Sequence, residues 1–244
     1  MRAIQLLISV VIYAIFFATF LYLIGFTVDL PMLPITVDRG PAAPLGEALA
    51  IDTLLIAAFG IQHSVMARQG FKRLWTRIVP PAMERSVYVL AASIMLHILF
   101  VGWRPITTPL WSVGGSAALV LWGVNALGWA MVLLSTFLLN HFELFGLAQA
   151  YRALADRRAA DPAFHTPLLY RLVRHPLYLG FFIAFWATPV MTVGHLVLAL
   201  GMSVYTLIAI GYEERDLVAA FGDQYRAYQA RVGMLVPGLG KTRG

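Results

Sequence analysis

Four short groups of residues carry types and spacings suited to chemistry. The first is Arg174-His175-Pro176-Leu177-Tyr178-Leu179-Gly180. A basic pair stands directly before a proline that can open a helix, because the first helical position needs no N–H partner. Beside Arg174, a helix N-terminus favours a carboxylate or phosphate, and Gly180 lets a ligand approach the backbone. The same residues also read as a plain membrane-entry signal of basic flank, proline and helix. The second group, Glu213-Glu214-Arg215-Asp216, puts two adjacent carboxylates after an apolar run. They can hold an ammonium, or simply begin a solvated helix. The third is Gln62-His63-Ser64 and the fourth Asn140-His141-Phe142-Glu143. His63, His141 and Glu143 are candidates for proton transfer, set against the alternatives of a packed histidine and a polar helix exit.

The elements that carry these groups are membrane helices. The chain has 244 residues, 60% hydrophobic and 12% charged, against about 25% charged in ordinary soluble domains. Apolar runs at 4–26, 49–66, 87–101 and 117–139 approach or exceed the ~20 residues needed to cross a bilayer. Two shorter runs, 177–193 and 196–212, predict a tight helical hairpin around Thr188-Pro189 and Gly194. The runs are continuous rather than alternating, which predicts helices instead of barrel strands. The fold class is therefore an all-α polytopic membrane bundle of five to six spans, with amphipathic cytoplasmic helices. One domain over 1–244 is expected: four spans in 1–139, a connector in 140–176, and a hairpin with its tail in 177–244. Trp75, Trp103 and Trp111 suit an interfacial belt.

The charge pattern gives orientation. Of 18 Lys and Arg residues, all but Arg39 and Arg104 fall in alternate loops and the termini, Arg158 and Arg243 among them. That positive-inside pattern predicts cytoplasmic N- and C-termini. The net charge of +6 thus reflects orientation and anionic lipid, not nucleic acid. Cysteine is absent, which excludes disulfides, thiolate metal sites and a cysteine nucleophile. No spacing is diagnostic of a metal. His97 and His195 read as structural, and Asp52, inside the second span, needs a partner.

From Arg174 to Pro237, the first two groups continue into Phe221-Gly222-Asp223-Gln224-Tyr225-Arg226-Ala227-Tyr228. This order resembles the isoprenylcysteine carboxyl methyltransferase and phospholipid methyltransferase superfamily. In the N-terminal half, Gln62-His63-Ser64-Val65-Met66-Ala67-Arg68, Glu84-Arg85-Ser86-Val87-Tyr88 and His141-Phe142-Glu143-Leu144-Phe145-Gly146-Leu147 look like the bacterial methanethiol S-methyltransferase family. A related branch, associated with nitrogen-oxide metabolism, shares the Gln-His-Ser element. Ala148 stands where the family pattern leads one to expect a basic residue.

The resemblance implies S-adenosylmethionine bound without a Rossmann domain, methanethiol as the small volatile thiol methylated, and a bacterial inner-membrane location. It implies a cofactor site of Arg174, His175, Pro176, Tyr178, Gly180, Glu213 and Glu214. Gln62, Ser64, Asn140, Arg215, Tyr225 and Tyr228 are then expected at the substrate side, with His141 or His63 as base and Glu143 assisting. Rival readings are methylation of a prenylcysteine carboxylate or phospholipid amine, a haem- or quinone-binding subunit using histidine ligands, and a transporter. Oligomeric state is not encoded in any of these features.

Overall fold

A computed structural model describes residues 1–157 and 163–241; Arg158 and Arg243 lie outside the described residues. The protein is an all-α polytopic membrane protein. Among the described residues five helices are long and apolar enough to cross a bilayer: α1 (Arg2–Thr27), α2 (Leu45–Ala67), α4 (Glu84–Gly102), α5 (Gly115–Leu138) and α9 (Val193–Phe221). The shorter helices are α3 (Gln69–Trp75), α6 (His141–Leu144), α7 (Leu147–Leu154), α8 (Pro176–Trp186) and α10 (Asp223–Arg231). The first four spans fall within a few residues of the apolar runs. Helix α4 ends at Gly102, just before Arg104-Pro105, since proline restricts the residue before it.

The C-terminal hairpin differs from expectation. Its first helix, α8, has 11 residues, about 16 Å of rise, roughly half the hydrocarbon thickness. Val190–Thr192 then forms a short strand, β2, antiparallel to β1 (Pro109–Ser112). The second helix, α9, runs for 29 residues and carries Glu213 to Asp216 well inside it. The expected break at Gly222 is present: its φ is +54°, a conformation that glycine adopts at little cost.

The chain packs as two compact units. The first holds residues 1–112 and 190–202 together with 140–157; the second holds 113–139, 163–189 and 203–241. In the first unit α1 and α2 both pack on α4. An apolar cluster of Ile12, Met83, Tyr88 and Val89 is joined by Phe16, Met66 and Phe145. At the opposite end of these helices Asp52 accepts the Arg104 N–H at 2.9 Å, capping the end of α4. Arg104 donates to the Gly102 carbonyl at 2.8 Å, and Arg39 to the Asp29 carboxylate at 2.9 Å and the Pro31 carbonyl at 2.8 Å. The two arginines that break the positive-inside pattern are thus tied to the protein itself. Trp103 is a correction to the expected belt: it is 0% exposed and donates to the Val37 carbonyl at 3.0 Å. An indole with a partner for its N–H is better placed in the core than at the interface.

In the second unit α5 packs along α8, and two glycines set the distance. A Cβ on Gly128 would lie 2.9 Å from the Gly180 carbonyl, and one on Gly180 would lie 2.8 Å from the Gly128 carbonyl. Small residues at such crossings let membrane helices approach closely. Asn125 adds a hydrogen bond to the Ala184 carbonyl at 2.7 Å. Gly180→Val should therefore destabilise the protein by about 1–3 kcal/mol or more through overpacking. A lowered melting temperature in detergent is the expected readout; an unchanged one would mean that the helices part freely.

Candidate functional site

The first unit holds two histidine–tyrosine pairs. His141 opens α6, and its Nε2 lies 2.7 Å from the Tyr13 hydroxyl on α1. The ring is buried and meets Tyr13, Phe142 and Phe145 edge to face, with centroids 4.8–5.7 Å apart. Burial holds the imidazole below its ordinary pKa, so it is neutral and able to accept a proton near pH 7. His63, near the end of α2, has its Nε2 2.7 Å from the Tyr88 hydroxyl and stacks on Phe59 at 5.4 Å. The apolar cluster that contains Tyr88 also packs against Phe145, so one core supports both pairs. In each, the hydroxyl and the imidazole exchange donor and acceptor roles with the tautomer. Both tyrosine partners went unrecognised in the sequence. The only signal was a tyrosine in an otherwise apolar span, which marks a hydroxyl needing a partner.

The turn around His141 is held from several sides. Asn140 has φ +78°, uncommon for a residue other than glycine. Gly146 has φ +90°, and a Cβ there would collide with Ser86. Arg85 donates to the Leu144 carbonyl at 2.9 Å, and Gln149 to the Glu143 carbonyl at 3.0 Å. Arg152 grips both oxygens of Glu143 at 2.5 Å. Glu143 is therefore a partner of Arg152 that fixes the turn. That hydrogen bond holds its carboxyl below the usual range. With a folded pKa lower than the unfolded one, the stabilisation is present above about pH 4.5 and is lost as pH falls through the lowered value. Because Glu143 is about one-third exposed (36%), Arg152→Met should cost no more than about 1 kcal/mol. It should also flatten the acid limb of the stability–pH curve; an unaltered acid limb would show that the pair does not form.

Gln62 donates to the Met66 sulfur at 2.9 Å, while its carbonyl oxygen is buried without a partner among the described residues. Ser64 contributes its carbonyl to Arg68 at 3.2 Å. The Asn140 side chain is exposed.

The second unit gathers most of the remaining candidates around the start of α8. The Arg174 side chain is 1% exposed. Its Nε donates to Glu214 at 2.6 Å, and its terminal nitrogens to the carbonyls of Val232 at 2.6 Å, Gly240 at 3.1 Å and Gln229 at 3.2 Å. Four of its five N–H donors are thus engaged. Glu214 also takes His175 Nε2 at 3.1 Å and Gln229 at 3.0 Å. An ionised carboxylate only accepts, which places a proton on His175 Nε2. The backbone joins in: Arg174 N–H donates to the Gly233 carbonyl at 2.8 Å and His175 N–H to the Met234 carbonyl at 3.2 Å. The tail is strapped to the start of α8 by this cluster. Arg174, His175 and Glu214 are drawn together as expected, but they bind one another and the tail.

Glu213 is different. One of its oxygens accepts the Tyr178 hydroxyl at 2.7 Å, and it has no cationic partner among the described residues. Pro176 occupies the first position of α8. Gly180, where a ligand was expected to reach the backbone, is met by α5 instead. Tyr225 and Tyr228 are buried; Tyr228 donates to the Tyr170 carbonyl. Burial pushes both phenols up, Tyr228 to about 12, so they remain protonated. Arg215 is exposed and lies over the Tyr212 ring at 5.6 Å. Phe164, unrecognised in the sequence, packs on Phe221, Tyr225 and Tyr228 at 5.4–5.8 Å. Among the described residues, no group of three or more histidine or acidic residues could hold a metal ion.

No family model and no solved structure matches the chain. Curated proteins do. A methanethiol S-methyltransferase of Mycobacterium tuberculosis is 53% identical, with 92% of each chain covered. One from Pseudomonas deceptionensis is 51% identical over 87% of this chain and 81% of its own. A Nurim homolog of Drosophila pseudoobscura pseudoobscura is 32% identical over 69% of this chain and 70% of its own. Identity of about one half over 87–92% of this chain is family-level likeness: the chain belongs to the methanethiol S-methyltransferase family.

Proposed function

We propose that this protein transfers a methyl group from S-adenosylmethionine to methanethiol, giving dimethyl sulfide, and that its basic side faces the cytoplasm of a bacterium. The observation that carries the reading is the identity of about one half, over nine-tenths of both chains, to a protein named methanethiol S-methyltransferase; the donor rests on the resemblance of the motifs in residues 174–228. The residues present fit part of the donor. Glu213, steadied by Tyr178, has the charge and free acceptor capacity to take its ammonium. Arg174 is engaged too fully to take its carboxylate, which is left to the positive end of α8.

When bound, S-adenosylmethionine would supply an electrophilic methyl on a sulfonium sulfur, which would keep the electrons of the broken carbon–sulfur bond as the thiol sulfur, its proton lost to the protein, took the methyl. Opposite charges vanish along this path, so apolar surroundings favour it. A simple thiol has a pKa of roughly 8.5 or above, so a base is needed near pH 7. His141 supplies one, kept neutral by burial and oriented by Tyr13; His63 with Tyr88 is the alternative.

The test is methyl transfer by the detergent-purified protein offered methanethiol, a prenylcysteine or a phospholipid amine in parallel. Product from methanethiol alone is expected. Product only from the prenylcysteine or the lipid would replace the substrate assignment.

A further inference from the structure

At the basic end of the first unit, α3, α4, α6 and α7 surround an open cavity of about 190 Å³ lined by Lys72, Glu84, Arg85, Glu143, Leu144 and Gln149. Its polar groups do not satisfy one another. Arg85 uses Nε on the Leu144 carbonyl, and its terminal nitrogens have no hydrogen-bond partner among the described residues. Gln149 gives its N–H to the Glu143 carbonyl, which fixes the amide and leaves a buried oxygen without a donor. Glu143 is closed by Arg152, whereas Glu84 has no ion pair among the described residues. The Arg85 guanidinium lies over the Tyr88 ring at 5.2 Å, and the cavity offers its terminal N–H donors beside acceptors on Glu84 and Gln149 that have no hydrogen-bond partner among the described residues. Glu84 and Arg85 are half-buried, whereas Gln149 Oε1 is buried with no partner among the described residues, and a buried polar atom ordinarily finds one. A bare anion would leave the acceptors unmet, and a bare cation would leave Arg85 unmet.

The position of the cavity narrows the ligand. Glu84 and Arg85 form the first turn of a span. Helix α3 follows directly on the end of another, and Leu74 and Ile78 are 59% and 79% exposed beside Arg73 and Arg77. Apolar side chains flanked by cations in a short segment mark the headgroup layer. We propose that this cavity seats the phosphate–ammonium headgroup of a zwitterionic phospholipid. The phosphate meets Arg85, and the ammonium donates to Gln149 Oε1 and Glu84. The lipid would then brace the turn that carries His141.

The test uses the full chain in detergent and reads thermal unfolding and binding, not methyl transfer, so it stands apart from the enzymatic reading. Short-chain phosphatidylethanolamine should raise the melting temperature more than phosphatidylglycerol, which has no ammonium. Arg85→Gln should weaken the phosphatidylethanolamine effect about fivefold or more. Glu84→Gln, which breaks no hydrogen bond of the fold, should remove the preference between the two lipids while the protein stays folded. Equal effects of the two lipids on the wild type, or a preference that survives Glu84→Gln, would overturn the proposal. So would an equal effect of free phosphoethanolamine at the same concentration, because the site would then serve a soluble ligand.

Discussion

Glu214→Gln should cost the protein its stability, while Glu213→Gln should leave it folded and cost it the cofactor. The two neighbours differ in what already holds them. Glu214 receives Arg174, His175 and Gln229, and its side chain is only 16% exposed. Removing one partner of a buried ion pair costs about 3–5 kcal/mol, because the other charge is left uncompensated. Arg174 would then stand in the interior with the tail carbonyls alone. Against a typical total of about 5–15 kcal/mol, that is a large share. Among the described residues Glu213 has only the Tyr178 hydroxyl as a hydrogen-bond partner, so its loss should barely move the melting temperature. A charge-assisted hydrogen bond contributes about 1.5–3 kcal/mol, which predicts roughly ten- to hundredfold weaker binding of S-adenosylmethionine. Calorimetry and thermal melting on both variants separate the roles. Equal melting temperatures, with binding lost only in the Glu214 variant, would reverse the assignment.

His141→Gln should slow methyl transfer by about 10²–10⁴ near pH 7, the usual contribution of a positioned base. The deficit should shrink as pH rises, because the thiol then ionises without help. Burial holds the wild-type imidazole below its ordinary pKa, so its proton-accepting form persists below about pH 6.5. The wild-type rate should fall only as pH drops through that lowered value. Tyr13→Phe should give a smaller loss of the same pH character, since it frees the ring without removing it. His63→Gln is the control. If its deficit shows the alkaline rescue and that of His141→Gln does not, His63 is the base.

Much of this architecture was legible in the sequence, and the exceptions have physical reasons. Spans such as α1 and α5 announce themselves because lipid demands a continuous apolar helix. Helix α9 outruns its hydropathy: Glu213 and Glu214 remain helical while bound by Tyr178 and Arg174, so the polar residues that seemed to end the span do not end the helix. Helix α8 stops short although the chain stays apolar beyond it. Pro189 and the pairing of β2 with β1, remote in sequence, decide that.

The candidate site was partly legible for a similar reason. Motif spacing brings Arg174, His175 and Glu214 together, but the carbonyls of Gln229, Val232 and Gly240 that occupy Arg174 leave no side-chain pattern. Tyr13 and Tyr88 were hidden because their partnership joins helices whose contacts are long-range. Gly180 illustrates a third kind of loss: the sequence marks a close approach, and only packing shows that α5 makes it.

The most direct measurement supplies the purified protein with methanethiol and S-adenosylmethionine carrying a deuterated methyl group, then weighs the headspace product. Dimethyl sulfide with one labelled methyl, formed at a rate proportional to enzyme, is the expected product. Unlabelled product, or none from a folded protein that still binds S-adenosylmethionine, would contradict the proposed methyl transfer.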